Sequence, residues 1–102
     1  MPTDKYEIRF LRIAEEDFVE IISYIAADNP AAAEAIASKI EKNIKLLSEN
    51  PELGRMPRDE DIKNLGYRYI IIQNYIVLYT IEESVIIIHR ILHSARDYRT
   101  IL

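Results

Sequence analysis

The sequence predicts an α+β fold, a β-α-α-β-β-β chain in which a helical hairpin packs on one face of a small, mainly antiparallel sheet. Three observations predict it. Residues 6–12 alternate apolar and charged side chains; two segments of helical period meet at Asp28-Asn29-Pro30; and three runs dense in Ile, Val and Tyr follow, joined by links of hairpin length.

The opening alternation has the period of a half-buried strand. From Ala14 the period changes: Phe18, Ile21, Ile22 and Ile25 fall on one helical face, and Glu15, Glu16, Asp17 and Glu20 sit early, where acids favour the helix dipole. This predicts a helix over about 14–27 whose start lacks a Ser, Thr, Asp or Asn cap. Asn29 caps the next helix and Pro30 occupies its first turn, where a missing N–H costs nothing. Ala33, Ile36, Ala37, Ile40, Ile44 and Leu47 mark its inner face, and Asn50-Pro51 ends it. So short a link makes the helices an antiparallel hairpin, with most apolar positions of its seam expected to be buried. Residues 51–65 show no period and read as a loop, the segment where mobility is expected. Strands follow at 67–72, 75–81 and 85–92. The tail, 95–102, suits a short terminal turn of helix. No helix remains for the second face of the sheet, so function is sought there.

Composition narrows the class. With 102 residues, half of them apolar and only two Gly and four Pro, the chain reads as one domain (1–102) that needs no staple. There is no Cys, hence no disulfide framework, thiolate nucleophile or sulfur-rich zinc site. The start has no apolar core for a signal peptide, and the apolar run at 69–72 is far below the ~18 residues of a membrane span. A cytoplasmic protein with no membrane partner is expected. The net charge of −4 is unevenly spread. Residues 13–52 hold nine acids against Lys39, Lys42 and Lys45, whereas 53–102 hold seven bases against six acids. The acids read as an exposed helix face. The basic end suits an anionic partner.

Four segments in this order resemble the RelE/ParE superfamily: Tyr24-Ile25-Ala26-Ala27-Asp28-Asn29-Pro30, the Ala-rich second helix, Asn50-Pro51-Glu52-Leu53-Gly54-Arg55, and the stretch from His89-Arg90-Ile91-Leu92-His93 through Ser94-Ala95-Arg96-Asp97-Tyr98. The resemblance runs from about residue 6 to 98. It implies a toxin of a type II toxin–antitoxin module, of the kind also called plasmid-stabilisation proteins, that inhibits growth and is neutralised by a cognate antitoxin. One branch implies DNA gyrase as target, the other a ribosome-dependent mRNA endonuclease, and a degenerate, non-toxic member is the third alternative. The acidic balance and long hairpin look more like the ParE side. Direct sequence-specific DNA binding by this chain alone is not expected.

Metal-free RNA cleavage needs a base, cations for the phosphate and an acid for the leaving oxygen. The candidates are His93, Arg96 and Tyr98. His93 has the intrinsic pKa for proton transfer, Arg96 a fork of donors for phosphate, and Tyr98 a ring for stacking. Arg96 equally suits an ion pair with Asp97, and Tyr98 packing at the core edge. Arg55, Arg58, Arg68 and Arg90 are the candidates for holding a target or an antitoxin; in the endonuclease reading Arg90 and Arg68 join Arg96 in holding the phosphate. Arg90 equally suits a fold residue paired with an acid of the hairpin. Tyr67, Tyr69, Tyr75 and Tyr79 read as a partly exposed aromatic surface for an antitoxin segment. His89 and His93, four positions apart on a strand, would share a face about 13 Å apart, too far for one ion. No metal and no cofactor are expected.

Overall fold

The computed structural model describes residues 5–93. Its elements are β1 (Glu7–Phe10), α1 (Arg12–Asp28), α2 (Pro30–Glu49), α3 (Glu60–Asn64), β2 (Arg68–Ile72), β3 (Tyr75–Glu82) and β4 (Val85–His93), with a 3₁₀ turn at Pro51–Leu53. The sheet order is β1-β4-β3-β2. β2, β3 and β4 form the antiparallel meander, and β1 joins β4 in parallel, pairing Glu7 with Val85 and Phe10 with Ile88.

The hairpin follows from its junction. Asn29 has extended backbone angles, its side-chain oxygen accepts the amide of Ala32 at 3.1 Å, and Pro30 opens α2. α1 starts two residues earlier than its periodicity indicates, with Leu11 at the cap position and no side-chain cap. The Leu11 amide instead donates to Ile88 O, so the strand ladder hands the chain directly to the helix.

Ile70, Ile72, Val77, Tyr79, Ile86, Ile88 and Ile91 make the sheet side of the core and meet Ala14, Ile40, Ile44 and Leu47 of the helices. The expected burial of the seam holds for α2 but is corrected for α1, where only Ala14 is fully buried. Phe18, Ile21, Ile22 and Ile25 are half-buried. A two-layer stack covers one stripe of each helix, and nothing among the described residues lies on the other side of this one.

Residues 51–65 also need correction. They are not without structure: besides the 3₁₀ turn, Asp59 caps α3 by accepting the amides of Asp61 and Ile62. Arg55 exchanges two backbone hydrogen bonds with Tyr69 at the outer edge of β2. Gln73 and Glu83, each at the first position of a two-residue hairpin loop, adopt positive φ values of 53° and 56°. The tail at 95–102 lies outside the described residues.

Candidate functional site

Register decides which side chains share a face. Ile72 pairs with Tyr75, so odd-numbered residues of β2 stand beside even-numbered residues of β3. Tyr67 and Tyr69 therefore face away from α1 and α2, whereas Tyr75 and Tyr79 face toward them. The expected four-tyrosine surface is thus split. Tyr79 is fully buried, its hydroxyl donating to Pro51 O at 2.7 Å and accepting from the Gly54 amide at 2.8 Å. Burial raises its pKa, against the lowering effects of the Gly54 hydrogen bond and the Arg68 charge.

The outer face is less open than expected. Ile76, Leu78 and Leu92 are buried in a small second cluster with Tyr69 against it. Beside them lies a polar group: Thr80 Oγ1 is 2.9 Å from His89 Nε2, and the His89 ring meets Tyr67 edge-on at 4.9 Å. Burial pushes the His89 imidazole below its ordinary value, with Glu82 opposing. Its neutral form is therefore favoured in the fold. Stability from this group is present above the unfolded imidazole pKa and is lost as pH falls through it toward the lower folded value. Urea midpoints of the wild type should drop between pH 7 and 5 more steeply than those of His89→Gln; equal slopes would contradict this.

His89 and His93 do not share a face. β4 carries a bulge at His89, because Tyr79 pairs with Ile88 and Leu78 with Arg90. The extra residue reverses the alternation, so His93 turns to the helix side, where it meets Tyr75 edge-on at 5.5 Å. Among the described residues no group of three or more His, Asp or Glu is placed to hold a metal ion.

The candidate arginines divide. Arg55 and Arg58 are exposed; Arg55 pairs with Tyr69 of β2, and Arg68, on β2, donates to Gly54 O at 3.1 Å. Arg90 lies across the sheet on β4. Its guanidinium binds Asp17 of α1 through two hydrogen bonds of 2.8 and 2.9 Å, and the same carboxylate accepts the Ile91 amide at 3.0 Å. The hydrogen bond that Arg90 donates to Asp17 is the largest influence raising the Arg90 pKa. Asp17 thus satisfies the edge of β4 past the end of β1. Of the two readings of Arg90, the structure shows the pairing with a hairpin acid; Arg68 and Arg90 are both occupied inside the fold. Arg96 and Tyr98 lie outside the described residues.

Sequence reasoning missed one concavity. Phe10, Phe18, Val19, Ile40 and Ile44 line a groove of about 260 Å³ between β1, α1 and α2, with Glu15 and Glu41 beside them. The signal was present, since Val19 is an exposed apolar residue among Glu15, Glu16 and Glu20. Among the described residues no helix is long and apolar enough to cross a membrane.

The comparisons agree with this architecture. The family model of the ParE toxin of the type II toxin–antitoxin system parDE matches residues 8–98. The fold is similar to a chain of the chromosomal ParDE system of P. aeruginosa (TM-score 0.73, 19% identity), with 89% of this chain and 98% of that one aligned. It is also similar to a chain of the RelBE2 toxin–antitoxin complex of Mycobacterium tuberculosis (TM-score 0.61, 24% identity), over 87% of this chain and 98% of that one. No curated protein matches the chain. A match over nearly the whole sequence, on a hairpin and meander joined in this order, places the chain in the ParE family of type II toxin–antitoxin toxins.

Proposed function

We propose that this toxin acts in the cytoplasm by binding an essential target, DNA gyrase, and is held inactive by a cognate antitoxin. The observation that carries a binding mode over RNA chemistry is how the chain uses its cations. Arg90 is neutralised by Asp17, Arg68 is turned to Gly54 O, and Arg9 is paired with Glu7 at 2.8 Å, so these charges are occupied by the protein's own oxygens. Family membership supports the same reading. Arg55, exposed at the β2 edge, and Arg58, exposed three residues further along the chain, are the residues we assign to acidic groups of the antitoxin. The alternative, a ribosome-dependent mRNA endonuclease, would rest on His93, Arg96 and Tyr98, and the third reading is a degenerate, non-toxic member.

Expression without antitoxin separates these readings. Gyrase supercoiling is assayed with the purified chain, and mRNA 5′ ends are mapped in the same cells. Blocked supercoiling with intact mRNA is the expected result. Cleavage within codons that disappears in His93→Ala and Arg96→Ala would overturn it in favour of the endonuclease, and unimpaired growth would sink both.

A further inference from the structure

A cleft of about 550 Å³ opens between α2 and the loop that joins β2 to β3, within the ~300–1,000 Å³ typical of small-molecule sites. Its two sides differ in lining. Toward the sheet lie Ile36 and Asn43, both half-buried, with Gln73 of the loop as the facing wall; toward solvent lie Ser38, Lys39 and Lys42, all exposed. Asn43 Nδ2 donates to Lys39 O at 2.8 Å, which leaves Oδ1 of the same side chain as an acceptor. Among the described residues the side chains of Ser38, Lys39, Lys42 and Gln73 have no hydrogen-bond or ion-pair partner. No acid lines the cleft. At about 3.6 residues per turn, Glu34, Glu41 and Lys45 of α2 fall beyond Ser38, on the side of the helix turned from Asn43, and Glu41 lines the groove toward α1 instead. Asp28 closes α1 just ahead of α2, and the loop with its flanks Ile72 and Tyr75 brings no charge. Lys39 and Lys42, three positions apart on the helix, have Cβ atoms about 5–6 Å apart and can meet one anionic group together.

We propose that this cleft binds an adenine nucleotide, with the phosphate outside on Lys39, Lys42 and the Ser38 hydroxyl and the base inside against Ile36. The ammonium groups act on the phosphate oxygens as point charges. Asn43 Oδ1 accepts from the exocyclic amino group and the Gln73 carboxamide donates to a ring nitrogen, the pairing of acceptor and donor by which Asn and Gln match adenine. A ligand held in this way ties the β2–β3 loop to α2. None of these residues takes part in the gyrase or antitoxin reading, so the loss of either reading leaves the site standing.

Adenosine monophosphate, inosine monophosphate, adenosine and inorganic phosphate are each titrated into the full chain, with amide shifts giving both the affinity and the place of binding. At low salt adenosine monophosphate should bind about tenfold tighter than adenosine or phosphate alone. It should bind about fivefold tighter than inosine monophosphate, in which a carbonyl replaces the amino group that Asn43 accepts from. The shifts should fall on α2 between Ala35 and Asn43 and on Gln73. The double variant Lys39→Gln/Lys42→Gln, with both changes at exposed helix positions, should bring adenosine monophosphate down to the affinity of adenosine. Gln73→Ala should weaken the nucleotide about threefold and leave phosphate unchanged. Adenosine or phosphate binding as tightly as the nucleotide, undiminished affinity in the double variant, or shifts confined to other surfaces would overturn the site. Equal affinity for the inosine nucleotide would overturn the choice of base. A short 5′-phosphorylated oligoadenylate distinguishes a free nucleotide from the end of a strand: the free nucleotide should bind at least as tightly, and a tenfold preference for the strand would overturn it.

Discussion

Asp17→Ala is expected to lower the free energy of unfolding by about 2–4 kcal/mol, a large share of the 5–15 kcal/mol typical of a small domain. The carboxylate serves three donors at once: Nε and Nη2 of Arg90 and the backbone amide of Ile91. Its side chain is 14% exposed and that of Arg90 18%, so water replaces little of what is lost. The variant leaves a guanidinium and a strand-edge amide without their acceptor, and such orphaned groups cost more than the pair itself contributes. Adding Arg90→Met should return part of the loss, because the stranded charge is gone while its aliphatic bulk stays. Urea unfolding of the wild type and the two variants measures this, and a cost under about 1 kcal/mol for Asp17→Ala would contradict the assignment of the β4 edge to this carboxylate.

A comparable loss is expected around Tyr79. Tyr79→Phe removes one oxygen and leaves the Pro51 carbonyl and the Gly54 amide unpaired in a site where Gly54 is itself buried. About 1–3 kcal/mol follows. Gly54→Ala should cost at least as much for a steric reason. A Cβ there would lie 2.5 Å from the Tyr79 hydroxyl oxygen, 2.7 Å from its Cε1 and 2.9 Å from the Tyr69 carbonyl oxygen. Two of those atoms remain in Tyr79→Phe, so the double variant should not recover. Thermal melts compare them, and recovery in the double variant would show that the hydroxyl alone sets the spacing.

The elements with many residues in phase were legible in the sequence. The hairpin announced itself by apolar period and by Asn29-Pro30, a cap and a first-turn proline whose effects are local. The three strands of the meander were legible from β-branched density and links of two and three residues, the second of which the structure shortens to two by extending β3 to Glu82. α3 was not, because five residues complete little more than one turn and show no period; the only sign was Asp59 ahead of Glu60 and Asp61, a cap followed by first-turn acids. The faces of the tyrosines were within reach, since the Gln73-Asn74 loop fixes that Tyr69 and Tyr79 point oppositely. The bulge at His89 was beyond reach: the pair His89-Arg90 breaks the apolar run of β4, but nothing in the sequence says which residue is left unpaired. The same holds for Asp17, whose partner lies at the far end of the chain. Its spacing from Arg90 carries no periodic signal.

The parallel pairing of β1 with β4 sets an order of events during folding. β2, β3 and β4 zip through neighbouring loops of two residues, whereas Glu7 meets Val85 only after both long helices and the meander have been traversed. Closing so large a loop costs entropy before any contact repays it, which makes this strand a late arrival. The Leu11 amide, bonded to Ile88 O at the root of the first helix, is therefore secured last. A chain still in synthesis holds an unfinished sheet until its fourth strand has emerged.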